Sequence, residues 1–214
     1  MREIIRLGSD HPVEHFAVVA RLHTAEIHHG ILPRLGLPFL SRLYYELARA
    51  PKAGVWVAFE EAEIVGFIAG CADMPRTYRR LLSRPAVVGR LIVALGAVWR
   101  LGLSRLASPL TYIAKGSKTT NDASTRNSPC TAEVLALAVN PTVRGRGIGG
   151  ALVRVFEQEI RTWSAVSRYR VSTNAADPNS NFFYQALGFS PCGRVRHHDL
   201  VLQVYEKCLE MHRT

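Results

Sequence analysis

Cysteine is scarce and scattered: Cys71, Cys130, Cys192 and Cys208 form no C-x-x-C pair. Such spacing argues against both a disulfide framework and a zinc site, and fits a reducing, cytoplasmic compartment. A long apolar run is also missing. Residues 85–106 come nearest, but Arg90, Arg100 and Arg105 interrupt them, so they do not read as a transmembrane helix. The start, MREIIRLGSD, lacks the apolar stretch of a secretory signal, and a cytoplasmic protein is expected. The last absence is of negative charge. Between Asp73 and Asp122 there is no acidic residue, while nine basic ones lie there. The net charge of +10 therefore belongs to one segment, and the rest of the chain is near neutral.

What is present suits one α/β domain. The 214 residues are 48% hydrophobic and 21% charged, enough for a substantial core. REIIRL reads as a first strand, and residues 11–29 and 37–50 as helices broken at Gly30 and Pro33. VWVAFE and EIVGFIAGCA form a hairpin through Glu60, Glu61 and Ala62. Residues 75–107 read as helical, and 115–131 as a polar, breaker-rich loop. A buried strand (EVLALAV), an amphipathic helix with Ile148, Leu152, Phe156 and Ile160 on one face, a strand (RYRVST), a short helix (SNFFYQAL) and closing strands follow. The order predicts a mixed, mostly antiparallel sheet with helices on both faces and a helical insertion at about 74–130, after the third strand.

The chemistry concentrates in LALAVNPTVRGRGIGGALVRVFEQE, residues 135–159. A strand feeding a glycine-rich loop into a helix N-terminus makes an anion cradle, because N–H groups without intrahelical acceptors and the helix dipole point at one spot. Gly145, Gly147 and Gly150 satisfy G-x-G-x-x-G, but a dinucleotide fold fails on context. The loop comes two-thirds along the chain, and no acidic residue stands about 20 positions on to meet a ribose. A Walker loop is excluded, since no Lys-Ser/Thr pair follows the glycines.

Arg144-x-x-Gly147-x-Gly149, followed some thirty residues later by Asn181-Phe-Phe-Tyr184-x-x-Leu-Gly188-Phe189, closely resembles the Gcn5-related N-acetyltransferase (GNAT) superfamily. The resemblance is specific over 131–190 and looser over 1–72; residues 73–130 have no counterpart in the minimal family fold. It implies an acetyl-CoA-dependent N-acetyltransferase that moves an acetyl group to a primary amine by direct attack in a ternary complex. It also implies that Arg144, Gly145, Arg146, Gly147, Ile148, Gly149 and Gly150 hold the pyrophosphate, and that strands 133–139 and 168–173 splay to admit pantetheine. Backbone groups near Leu137 and Val139 would then line the thioester, with Asn181 touching the cofactor. Tyr184 matches the family's usual general acid. Glu133 starts the cofactor strand and, by strand alternation, shares a face with Leu135, Leu137 and Val139; it is read either as the base or as a solvated strand end.

For the acceptor the resemblance points to His23, His28 and His29 on the first helix and its exit, to Asn174, and to His197. His23 equally suits a core position beside Ala20 and Ile27. The i,i+5 spacing of His23 and His28 is poor for a metal, and none is expected. The basic insertion suits an anionic small acceptor such as an amino-sugar nucleotide, peripheral contact with an anionic membrane, a partner subunit (a homodimer included) or a packed cover with snorkelling arginines. No aromatic interleaving or motif supports nucleic acid. A non-catalytic acyl-CoA-binding module and an acetyltransferase of protein or membrane-associated acceptors remain the alternative readings.

Overall fold

A computed structural model describes residues 2–28, 32–100, 132–163, 166–197 and 200–209. The elements run β1 (Arg2–Arg6), α1 (Val13–Glu26), α2 (Leu37–Ala48), β2 (Ala53–Glu60), β3 (Glu63–Cys71), α3 (Met74–Leu82) and α4 (Pro85–Arg100). They continue with β4 (Ala132–Val139), α5 (Ile148–Thr162), β5 (Arg168–Asn174), α6 (Pro178–Ala186), β6 (Ser190–His197) and β7 (Leu200–Cys208). The strands form one seven-stranded sheet in the order β1-β2-β3-β4-β5-β7-β6. Every described pairing is antiparallel except β4 with β5. This is the expected mixed, mostly antiparallel sheet. The expected hairpin closes through Glu61 and Ala62, both at positive φ (51° and 67°), the backbone of a two-residue turn that matches strand twist.

Each face of the sheet carries its own core. One cluster seats α1 and α2 on β2 and β3 through Phe16, Leu40, Leu47, Val55 and Phe67. The other seats α5 on the opposite face through Trp56, Ile68, Leu152, Phe156 and Tyr169. Phe156 is the hub of the second, edge-on to Trp56, Trp163 and Tyr169. The segment expected to be an insertion begins as two helices. Asp73 caps α3 by accepting from the Arg76 N–H, and α4 packs Val87 and Leu91 into the first cluster. Residues 101–131, with the polar loop expected at 115–131, lie outside the described residues.

Candidate active site

The site is built around two parallel strands that part. β4 and β5 pair over Ala132–Val134 and Tyr169–Val171; beyond that, β4 continues to Val139 and β5 to Asn174 with no pairing between them. The cause lies on the other side of β4. Against β3, Ala69 pairs with Ala136 and Gly70 with Val134, which leaves Leu135 as an extra residue. Such a bulge bends its strand and increases its twist, turning β4 away from β5. Gly70 makes the bulge possible: a Cβ there would lie 2.5 Å from the Phe156 ring and 2.8 Å from the Glu133 carbonyl oxygen.

The bulge corrects one reading from sequence. Strict alternation puts Glu133 on the face of Leu135, Leu137 and Val139. In the structure Glu133 lies opposite Cys71, a member of the α1/α2 core, and Leu135 packs on that same core. Leu137 and Val139 pack on the α5 side. The extra residue inverts the parity beyond it, so Glu133 stands at the base of the fork on the opposite face from Leu137 and Val139. It pairs with Arg170 on β5, which pairs in turn with Glu206 on β7. Glu206 accepts from Arg170 Nε (2.8 Å) and Arg168 Nη1 (3.0 Å). Burial raises the Glu133 carboxyl to a pKa of about 7, against a smaller opposing pull from Arg170.

The glycine loop has the geometry of a cradle. Asn140 caps the turn after β4 by accepting from the Thr142 N–H and hydroxyl. Gly145 and Gly147 sit at φ 77° and 79°, and no atom lies within 4 Å of where their Cβ atoms would be. The first turn of α5 closes with Ala151 N–H donating to the Gly147 carbonyl. The N–H groups of Ile148, Gly149 and Gly150 therefore have no intrahelical acceptor and point out of the helix start. A pyrophosphate fits this surface. Ile148 anchors it, its side chain 1% exposed in the core.

Gly149 needs a correction, because its missing side chain faces Phe183 (3.1 Å from an ideal Cβ) rather than the phosphate side. It lets α5 pack against α6 and offers the anion only its N–H. The arginines also do more than await a ligand. Arg144 donates from Nε to the Val139 carbonyl (3.0 Å), which takes that carbonyl out of the cleft, and its guanidinium pairs with Glu26 on α1. Arg146 reaches Glu60 (3.4 Å), which Arg2 also pairs, while Arg2 donates to the Arg146 carbonyl. The pair braces the loop against α1 and the β2–β3 hairpin.

Tyr184 is buried on the α5/α6 side, edge-on to Phe183 and Phe189. Burial pushes its phenol well above the usual tyrosine range, and its hydroxyl has no hydrogen-bond partner among the described residues. Asn181 does not present its amide to the cleft. Its Nδ2 donates to the carbonyls of Asn174, Ala175 and Asp177, and its Oδ1 accepts from Tyr205. It staples the β5–α6 turn under Tyr184. Asn174 is drawn into the same turn, accepting from Ala176 N–H through Oδ1.

Of the histidines, His23 is a core residue: 2% exposed, its Nδ1 2.5 Å from the Tyr44 hydroxyl, its ring stacked on Phe67. Burial lowers its pKa to about 4, so it is neutral at physiological pH. His28 is exposed just past α1. His29 and the His197 side chain lie outside the described residues. Sequence reading grouped Glu26 with these histidines on the acceptor side, whereas it pairs with Arg144; it missed Tyr44 and the Arg170–Glu206 pair. Only the alternation Arg168-Tyr169-Arg170 hinted at the last, as two charges on one face of a strand.

With this geometry in place, comparison with known proteins is informative. A family model described as an acetyltransferase (GNAT) domain matches residues 112–191, which hold the fork, the cradle and α6. No curated protein matches the sequence. Among solved structures, the chain resembles Arabidopsis thaliana NAA60 in complex with acetyl-CoA (12% identity, 99% of this chain and 100% of that one, TM-score 0.60). It also resembles yncA, a putative acetyltransferase from Salmonella typhimurium with its cofactor acetyl-CoA (13% identity, 100% and 96%, TM-score 0.59). A third likeness is to the ribosomal-protein-alanine N-acetyltransferase of Brucella melitensis (16% identity, 97% and 99%, TM-score 0.57). At such identities these likenesses are of fold. Residues 112–191 thus match a GNAT acetyltransferase domain, and the chain as a whole shares the fold of these acetyltransferases.

Proposed function

We propose that the chain transfers the acetyl group of acetyl-CoA to the primary amine of a small anionic acceptor, of the amino-sugar nucleotide class, by direct attack in a ternary complex. The observation that carries the reading is the fork, with Glu133 at its base on the α1/α2 face and Tyr184 on the other. Pantetheine entering the gap places the thioester between them. The amine, approaching from the Glu133 face, loses a proton to that carboxylate directly or through a water; a pKa near 7 suits a base working at neutral pH. Nitrogen attacks the carbonyl carbon, the C–S bond breaks, and the sulfur departs toward Tyr184. A buried tyrosine gives up its proton less readily than a thiol with a pKa of about 8.5. Tyr184 therefore stabilises the departing thiolate chiefly by donating a hydrogen bond, and the proton released by the amine completes the balance.

The anionic acceptor is supported by charge and placement. α3 starts three residues after Cys71, the partner of Glu133 in the ladder, and exposes Arg76, Arg79 and Arg80. A positive field at that edge of the sheet favours a phosphorylated amine over a neutral one. A thiol-release assay over paired amines tests this. An amino-sugar nucleotide should show a higher kcat/KM than its unphosphorylated amino sugar, and the difference should shrink with added salt. Preference for a peptide N-terminus would overturn the acceptor class. Calorimetric binding of CoA with no turnover on any amine would leave a binding module.

A further inference from the structure

α4 is apolar on both sides. Its inner face sets Val87 and Leu91 in the core. Its outer face carries Gly89, Ile92, Val93 and Gly96, with Ile92 64% and Val93 74% exposed. A helix apolar all round is normally covered on all sides. Among the described residues no helix is long and apolar enough to cross a bilayer, and the inner face of α4 is already packed. Positive charge lies on the same hairpin: Arg90 is exposed beside Gly89, and Arg79 and Arg80 are exposed on the preceding helix. The nearest acid in the α3–α4 hairpin is the capping Asp73, and among the described residues the hairpin's Arg84 reaches Glu46, which Arg42 also pairs.

We infer that the α3–α4 hairpin is a docking surface for an anionic phospholipid membrane, with α4 lying in the plane of the interface. Charge selects this occupant. Two copies of the hairpin would face arginines with arginines, whereas a lipid surface offers phosphates to Arg79, Arg80 and Arg90 and an acyl boundary to Ile92 and Val93. The inference shares Arg79 and Arg80 with the field proposed for the acceptor, but Ile92 and Val93 belong to it alone.

Sedimentation of the full chain with vesicles tests it. The protein should pellet with phosphatidylcholine vesicles containing about 30% phosphatidylglycerol and stay in solution with phosphatidylcholine alone. The bound fraction should fall about tenfold or more between about 0.05 and about 0.5 M salt. Ile92→Ser with Val93→Ser leaves every charge in place, and should still weaken vesicle binding about tenfold if the aliphatics enter the interface. CoA binding measured on the same samples shows that the variant is folded and keeps this test separate from that of the transferase. No pelleting with anionic vesicles would overturn the inference. So would equal pelleting of variant and wild type, which would reduce the contact to adhesion of charge. A self-association that the double substitution abolishes, without vesicle binding, would assign the stripe to a second copy. A fall in Tm of the variant, again without vesicle binding, would assign it to another part of the chain.

Discussion

Burial lifts the Glu133 carboxyl from its ordinary 4.5 to about 7, and this one shift has two separable consequences. If Glu133 is the base, as proposed, it must be ionised, so kcat/KM should climb with pH through an inflection near 7, and Glu133→Gln should lower activity and abolish that limb. Stability responds in the opposite sense. A carboxyl whose folded pKa exceeds its unfolded one contributes most below about 4.5, and that contribution is lost as pH rises through about 7. Glu133→Gln should therefore change Tm little at pH 5 and raise it at pH 8; an equal change at both would show that Glu133 ionises freely. Replacing Arg170 with leucine removes the charge that opposes this shift, and should move the kinetic inflection to higher pH. Tyr184→Phe should lower kcat by roughly tenfold or more while the KM for acetyl-CoA holds. His23 shifts the other way. Its folded pKa of about 4 lies below its ordinary 6.5, so stability is full above 6.5 and is lost as pH falls toward 4.

At the level of elements, the β4 bulge turns a strand into a site, and its fragile point is Gly70. Gly70→Ala would press a methyl group onto Phe156 and the Glu133 carbonyl, costing about 1–3 kcal/mol and moving Leu135 out of register. A drop in Tm together with a weaker affinity for CoA is expected; a loss of Tm with affinity intact would mean that the fork survives without the bulge. This element also marks the limit of what the sequence made legible. Strand and helix periods, the hairpin, the glycine loop and the Tyr184 helix all announce themselves locally, through spacing and breakers. A bulge does not: EVLALAV alternates well enough, and the reason for the extra residue sits in another strand, in a glycine whose missing Cβ matters only once Phe156 is packed beside it. The same holds for Arg144 and Asn181. Their motif positions were evident, but their partners, Glu26 at a separation of 118 residues and Tyr205 at 24, are tertiary facts.

On the scale of the whole molecule, the glycine loop ties the two faces of the sheet together. Arg144 links it to Glu26 at the end of α1, and Arg146 with Arg2 links it to Glu60 at the hairpin. A pyrophosphate drawing on the same loop would add its own bonds to a junction between both cores, so CoA should stabilise the fold as a unit. At about a hundredfold excess over Kd, linkage gives about 2.7 kcal/mol. For a domain of this size that amounts to about 5–10 °C in Tm. Gly147→Glu should erase the shift, because a carboxylate beside the open N–H groups of α5 takes the place of phosphate and repels it. The variant should also start from a lower Tm, since the helix cap must hold φ at 79° with a side chain attached. Glu26→Gln is the subtler case. It leaves the cradle's N–H groups untouched and frees Arg144 from α1, so the Tm without CoA should fall while the CoA-induced rise stays the same or grows, as Arg144 turns toward the phosphate. Differential scanning fluorimetry of the three proteins over a CoA titration measures both effects. A Glu26→Gln variant that loses the CoA-induced rise would show instead that the ion pair, not the glycine backbone, shapes the anion site.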